Sequence, residues 1–190
     1  HPFPAAFNRL LSVYEWLLAE GRNPANIVIA GDSAGGGLTL ALLLAIRDRG
    51  LPRPRCAVTF SPASRAEKHC TLIARNCRTD SMLSASMINT LIDLYVPHEH
   101  RTNPHAIPAL GEFHDLPPLF ISVSRDECLY GDALVVRDKA QAAGVPVTWL
   151  ERGAMPHVWP IMVPWLPEAR ADVKKVIRFV REHAPLTLAH

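Results

Sequence analysis

No stretch of this 190-residue sequence is apolar for long enough to cross a bilayer. The longest such run, Leu38 to Ile46, includes Thr39 and ends at Arg47, well short of the roughly 20 residues that a spanning helix needs. Stable membrane insertion is therefore not expected. No charge of one sign dominates either. Twenty Lys and Arg against 18 Asp and Glu leave a net charge of +2, with no basic cluster, so nucleic acid is not an expected partner. Cysteine is scarce: Cys56, Cys70, Cys77 and Cys128 form no C-x-x-C pair, which removes the usual zinc-ribbon and redox motifs. Reduced thiols in a cytoplasmic protein are the expectation, with Cys70–Cys77 as the disulfide alternative. Nine histidines include His98, His100 and His105, but these lie in Pro-, Glu- and Asn-rich loop with no paired ligand on a regular element, so no metal is expected. No signal peptide is visible. The chain opens on His1 rather than Met and reads as the middle of a longer sequence, so export is not judged from this end.

What is present is an alternation of short apolar runs with longer amphipathic segments. Phe7, Leu10, Leu11, Tyr14, Leu17 and Leu18 predict a helix over 5–20, ended by Gly21. Ile27–Ala30, Ala57–Phe60, Leu119–Val123 and Val147–Leu150 read as four short buried strands. Between and after them, helices are predicted after Ser33, from an N-cap at Ser84 through Tyr95, over 131–143, and over 164–183. The Ser84 helix is expected to bury Met87, Ile88, Leu91, Ile92 and Tyr95, and the last helix to set Val173, Val176, Ile177 and Val180 on one face. Strands separated by helices mean parallel crossovers, hence an α/β fold with helices on both faces of the sheet. Neither a repeat nor a linker divides the chain, so residues 1–190 form one domain. Segment 63–118 is the long insertion, expected to line a site.

The most informative stretch is Gly31-Asp32-Ser33-Ala34-Gly35-Gly36, directly after Ile27–Ala30. A glycine-flanked serine between a buried strand and an apolar helix fits a nucleophile elbow, a tight turn that lifts the Oγ clear of the sheet. Free N–H groups at the following helix start lie where an oxyanion would form. Serine needs a base, and the base needs an orienting carboxylate. Both are expected in loops beyond strand C-termini. Asp126, with Glu127 as its rival, follows the third strand, and His157 follows the fourth. The order Ser, Asp, His is that of the α/β-hydrolase elbow.

The chain resembles the hormone-sensitive-lipase-like family of α/β-hydrolases, the bacterial carboxylesterases and lactone hydrolases. The matching residues are His1-Pro2-Phe3-Pro4-Ala5-Ala6, the Ser33 elbow, Leu116-Pro117-Pro118, Asp126-Glu127 with Leu129, and Met155-Pro156-His157. The resemblance implies Ser33 as nucleophile, His157 as base, Asp126 as orienting acid and the Ala34 N–H as one oxyanion donor. It also implies a small-molecule substrate, a short- to medium-chain acyl ester or lactone, and no cofactor. Met82, Leu83, Val158 and Trp159 are candidates for an acyl pocket. A peptidase or amidase using the same triad is a second enzymatic reading.

The family's upstream His-Gly-Gly-Gly motif, whose N–H groups complete the oxyanion hole, does not occur in this sequence. The family pattern leaves here the C-terminal half of a mostly parallel sheet, four strands with the elbow strand at an edge. Two expectations follow: weak or absent activity for this piece, and homo-oligomerisation through the exposed edge. The alternative from another class is a non-catalytic hydrolase-fold fragment acting as an assembly module.

Overall fold

A computed structural model describes residues 1–66 and 75–183. Four strands, β1 (Val28–Asp32), β2 (Cys56–Phe60), β3 (Leu119–Ser124) and β4 (Val147–Arg152), pair in parallel in that spatial order. Parallel neighbours require crossovers, and helices supply them. Among the described residues the helices are α1 (Ala5–Ala19), α2 (Ala34–Asp48), α3 (Ala85–Tyr95), α4 (Tyr130–Ala142) and α5 (Pro167–His183).

Side chains alternate across the sheet with a period of two, which divides the core. Ala57, Leu119, Ile121 and Val123 pack with Leu40 and Leu43 of α2 and Val136 of α4. Val58 and Phe120 face the other way, onto Trp159 and, from α5, Ala169 and Phe179. Helices thus cover both faces, as the strand–helix alternation predicts. All six residues of β3 are buried, whereas every residue of β1 is half-buried or exposed. The difference follows from position: β3 has a strand on each side, and β1 has only β2.

The helix containing Leu38 to Ile46 is apolar all round and is wrapped accordingly. One side of α2 meets the sheet, while Ala41, Leu42, Ala45 and Ile46 pack on Phe7, Leu11 and Tyr14 of α1. The Tyr14 hydroxyl reaches past the end of α2 to donate to the Pro52 carbonyl at 2.6 Å.

Two helices bury less than their periodicity predicts. The N-cap of α3 is as expected, with the Ser84 Oγ accepting from the Met87 N–H at 3.2 Å. Yet Ile88 is its only fully buried residue, and Met87 and Leu91 are about half exposed, because α3 borders a cavity rather than a packed layer. In α5, Val176 and Val180 pack on the core, while Ile177 faces outward.

The cysteines depart from expectation. Cys77 and Cys128 form a disulfide with Cα atoms 5.1 Å apart, because residues 76–80 fold onto the loop after β3. Cys56 is the free, buried thiol, and Cys70 lies outside the described residues. The loop histidines make ordinary contacts: His105 stacks on Phe7 and pairs with Asp48, and His100 meets the edge of Phe3. No helix among the described residues is long and apolar enough to cross a membrane.

Candidate active site

Ser33 ends the β1 turn at φ 52° and ψ −119°, a conformation that L-residues rarely adopt. Strain of this kind costs about 1–3 kcal/mol and persists only where the surroundings hold it. Here the Ser33 N–H donates to the Phe60 carbonyl at the end of β2, at 2.8 Å. Its own carbonyl accepts from Gly37 at 3.1 Å and Ala63 at 3.0 Å. The glycines make room for this closure unequally. A Cβ on Gly31 would lie 2.2 Å from the Gly35 carbonyl oxygen, and one on Gly37 would lie 2.0 Å from the Ala63 carbonyl oxygen. A Cβ on Gly36 would lie 2.9 Å from the Pro62 Cα, whereas one on Gly35 would touch nothing, so the small residues required after the serine are Gly36 and Gly37 rather than Gly35.

The elbow leaves the nucleophile candidate exposed to chemistry. The Ser33 hydroxyl makes no hydrogen bond among the described residues and lines a cavity of 350 Å³. Ala34 is the first residue of α2, and among the described residues no carbonyl takes its N–H. Leu38, Leu83, Ile88 and Ile92 supply apolar wall to that cavity. Asp132 secures another part of the wall. Its buried carboxylate accepts from the N–H groups of Ser64 and Arg65, at 2.8 and 2.9 Å, and from the Arg65 side chain. Burial pushes the Asp132 carboxyl above the usual range, against the pull of Arg65 and these N–H groups.

The carboxylate that meets His157 is Glu127, not Asp126. His157 Nδ1 lies 3.1 Å from Glu127 Oε2, with both side chains almost fully buried. Asp126 is instead half-buried, and its Oδ2 accepts the Ala154 N–H at 2.6 Å, tying the acid loop to the histidine loop. The turn after β3 decides between these neighbours. Asn76 donates to the carbonyls of Arg125 and Glu127, and Asp80 accepts the Cys128 N–H, which sets Glu127 inward. Burial drives the Glu127 carboxyl above its ordinary range; hydrogen bonds from His157 and Ser61 oppose this, and the Asp80 charge adds to it. His157 Nε2 is buried and has no hydrogen-bond partner among the described residues. An unpaired buried ring nitrogen is costly in a purely structural histidine, and it is what a waiting proton acceptor requires.

The pocket candidates divide. Leu83 lines the cavity; Met82 does not, and is about half exposed. Val158 and Trp159 are buried elsewhere. Trp159 packs in the core beneath α5 and donates its indole N–H to Asp172 at 3.0 Å. Their place beside His157 in sequence does not put them in the cavity, because the backbone turns sharply at Val158, with φ 55°. Ile88, Ile92 and Tyr95, expected only as the buried face of this helix, reach the cavity from α3, in keeping with the expectation that segment 63–118 lines a site.

A strained serine at a strand–helix turn and a buried histidine–carboxylate pair, all in segments that follow parallel strands, define a class of protein: the chain belongs to the α/β-hydrolase fold family, whose sequence profile it matches over residues 1–161. Its relatives and structural neighbours include a member of the bacterial hormone-sensitive lipase family. It is 38% identical over 184 residues to an acetyl-hydrolase of Streptomyces hygroscopicus, covering 95% of this chain and 60% of that protein. An esterase of Acinetobacter venetianus is 28% identical over 180 residues, covering 94% and 59%. Among solved structures, an esterase of the bacterial hormone-sensitive lipase family superposes with a TM-score of 0.92 at 34% identity, covering 96% of this chain and 62% of that one. The esterase EstE5 superposes with a TM-score of 0.92 at 38% identity and the same coverage. The chain thus spans about 60% of the length of these relatives.

Proposed function

We propose that this chain carries the nucleophile, base and acid of a serine carboxylic ester hydrolase acting on short- to medium-chain acyl esters or lactones. The observation that carries the reading is the buried Glu127–His157 pair with its unpartnered Nε2, set at the same strand ends as the strained Ser33. Ser33 Oγ attacks the ester carbonyl while its proton passes to His157 Nε2. The oxyanion that forms is met by the Ala34 N–H. Collapse releases the alcohol, which takes the proton from His157 and leaves an acyl group on Ser33. Water then repeats the sequence, giving its proton to His157 and freeing the acid. Glu127 stabilises the imidazolium at each stage and holds Nδ1 as the protonated nitrogen. The apolar cavity beside Ser33, walled by residues of the 63–118 segment, takes the acyl chain.

One backbone donor is a sparse oxyanion hole, and each missing donor costs about 10²–10³ in rate. The chain alone is therefore a slow esterase, and the half-exposed β1 favours pairing with another chain. Both statements are testable on one sample. A fluorophosphonate probe should label Ser33 of the folded chain and fail to label Ser33→Ala. Absence of label from the folded parent would favour the non-catalytic assembly role. Fast turnover of p-nitrophenyl butyrate by protein that sediments as a monomer would overturn the expected slowness and self-association together.

A further inference from the structure

We propose that Ser61 is a positioning residue for the histidine, closing a ring of hydrogen bonds that fixes the Glu127 carboxylate and the imidazole in one orientation. The inference rests on the reading of Glu127 and His157 given above and extends it to a residue outside the triad. Ser61 is fully buried at the end of β2, where its own N–H donates to the Ser122 carbonyl at 2.7 Å. Its Oγ lies 3.0 Å from Glu127 Oε2 and 3.2 Å from the Val158 nitrogen. The direction of each bond follows from chemistry. A backbone N–H can only donate, so Val158 gives its proton to the Ser61 oxygen. The Ser61 proton is then free to go to the carboxylate, which, ionised, can only accept.

Glu127 Oε2 therefore receives two donors, the Ser61 O–H and the His157 Nδ1–H, while Glu127 Oε1 has no partner among the described residues. Val158 directly follows His157, so the path from imidazole to backbone to Ser61 to Glu127 and back to the imidazole is closed. Closure matters because it couples the ring plane of the histidine to the backbone that carries it. The Nδ1–H is held on the carboxylate, and Nε2 remains the basic nitrogen. Both ends of the Ser61–Val158 bond sit in the left-handed region, Ser61 at φ 49° and Val158 at φ 55°. A β-branched residue rarely occupies that region, so the bond holds a backbone shape that valine would otherwise leave. A serine retained only for packing would need neither the strained backbone nor two polar partners. The charged and titratable groups around Glu127 are His157 from the loop after β4 and Asp80 from the segment before α3, whose carboxylate is itself occupied by the N–H groups of Met82, Leu83 and Cys128.

Two variants separate the hydroxyl from the backbone. Ser61→Ala removes the hydroxyl and keeps the strain; Ser61→Gly removes the hydroxyl and relieves it, since glycine accepts φ near 49°. In both, the maximal rate of fluorophosphonate labelling at Ser33 should fall roughly tenfold or more, with the probe concentration at half-saturation unchanged. The acid limb of that rate should move to higher pH, because Glu127 loses a donor that favours its ionised form. An unchanged maximal rate and pH limb in a folded variant would overturn the proposal. So would a loss confined to Ser61→Ala, which would make the effect one of backbone shape. A second readout needs no labelling. The downfield Nδ1 proton of His157 in the NMR spectrum, assigned by its absence in His157→Gln, should be lost or exchange faster in Ser61→Gly. Its persistence with unchanged exchange also overturns the proposal. A parent chain that never labels would instead refute the catalytic reading, leaving the NMR comparison to decide the role of Ser61.

Discussion

Around His157 the polar groups are buried and interlinked, whereas around Ser33 the chain is held by backbone and the side chain has no partner among the described residues. The histidine loop is tied to the rest of the molecule by Glu127, Ser61 and Asp126, three side chains from two other strand ends. The serine turn is tied by carbonyls and N–H groups, and by glycines that let α2 and the 61–63 segment approach. The contrast has a chemical sense. A base must keep its tautomer and direction, which side-chain hydrogen bonds specify. A nucleophile must present a free hydroxyl, so its position is specified through the backbone alone. In the sheet, Ser33 follows the edge strand β1, His157 follows the other edge strand β4, and Glu127 follows the fully buried β3.

The sharpest way to break this comparison is at the acid. Glu127→Ala should reduce Ser33 labelling by about 10³–10⁴, the scale seen when a triad loses its orienting carboxylate, while Asp126→Ala should change it by less than about tenfold. A larger loss in Asp126→Ala would transfer the acid role to that residue.

Next comes the tether. The Cys77–Cys128 bond closes a loop between residues 51 apart in sequence, and Cys77→Ser should cost about 2–4 kcal/mol of stability in urea unfolding. A cost under about 0.5 kcal/mol would mean that the segment over the acid loop is held without it.

On the nucleophile side, Gly37→Ala places a methyl group against the Ala63 carbonyl and should cost about 1–3 kcal/mol. Gly35→Ala meets nothing and should be neutral or slightly stabilising in the first turn of α2. Equal effects on the unfolding midpoint would show that the close approach lies elsewhere.

Acidity separates the histidine loop from the helix behind it. Burial raises the Glu127 carboxyl above its unfolded range, so the penalty for ionising it is absent below the usual carboxylate pKa and grows as pH rises through the folded value. The labelling rate should accordingly fall on the acid side at a higher pH than an ordinary carboxylate would give. Asp172 is the opposite case. Burial disfavours its charge, but hydrogen bonds from Arg152, Trp159 and Lys175 outweigh burial and hold it below the usual range. Its contribution is present above the unfolded pKa and is lost as pH falls through the folded one. Asp172→Asn should therefore flatten the acid limb of the stability profile without moving that of labelling. Smallest of all, Met82→Ala, half exposed and outside the cavity, should change stability by less than about 0.5 kcal/mol and leave labelling unaltered.

Much of the scaffold was legible because local patterns carry it. The apolar runs ending at Ala30, Phe60, Val123 and Leu150 overlap β1 to β4, and Ser84 caps its helix as its hydroxyl and spacing predict. The serine elbow was legible for the same reason, since a strand, a glycine-flanked serine and a helix are contiguous. The choice between Asp126 and Glu127 was not. Two adjacent carboxylates differ only in which way a turn rotates them, and that rotation is set by Asn76 and Asp80, some 50 residues upstream. Trp159 misled for a related reason: proximity to His157 along the chain says nothing of which side of the sheet a side chain faces after a left-handed turn.

The sequence by itself determined the α/β class and the order of strands and helices, and it singled out Ser33 and His157 as the candidate nucleophile and base, because each rests on periodicity or on neighbours within a few residues. Only the tertiary structure decided that Glu127 faces the imidazole, that Ser61 bridges it to Val158, and that Cys77 joins Cys128. Those pairings span 30 to 97 residues. Contacts at that distance exist only once parallel strands bring their C-terminal ends together, and burial then leaves each polar group dependent on the partner it finds there.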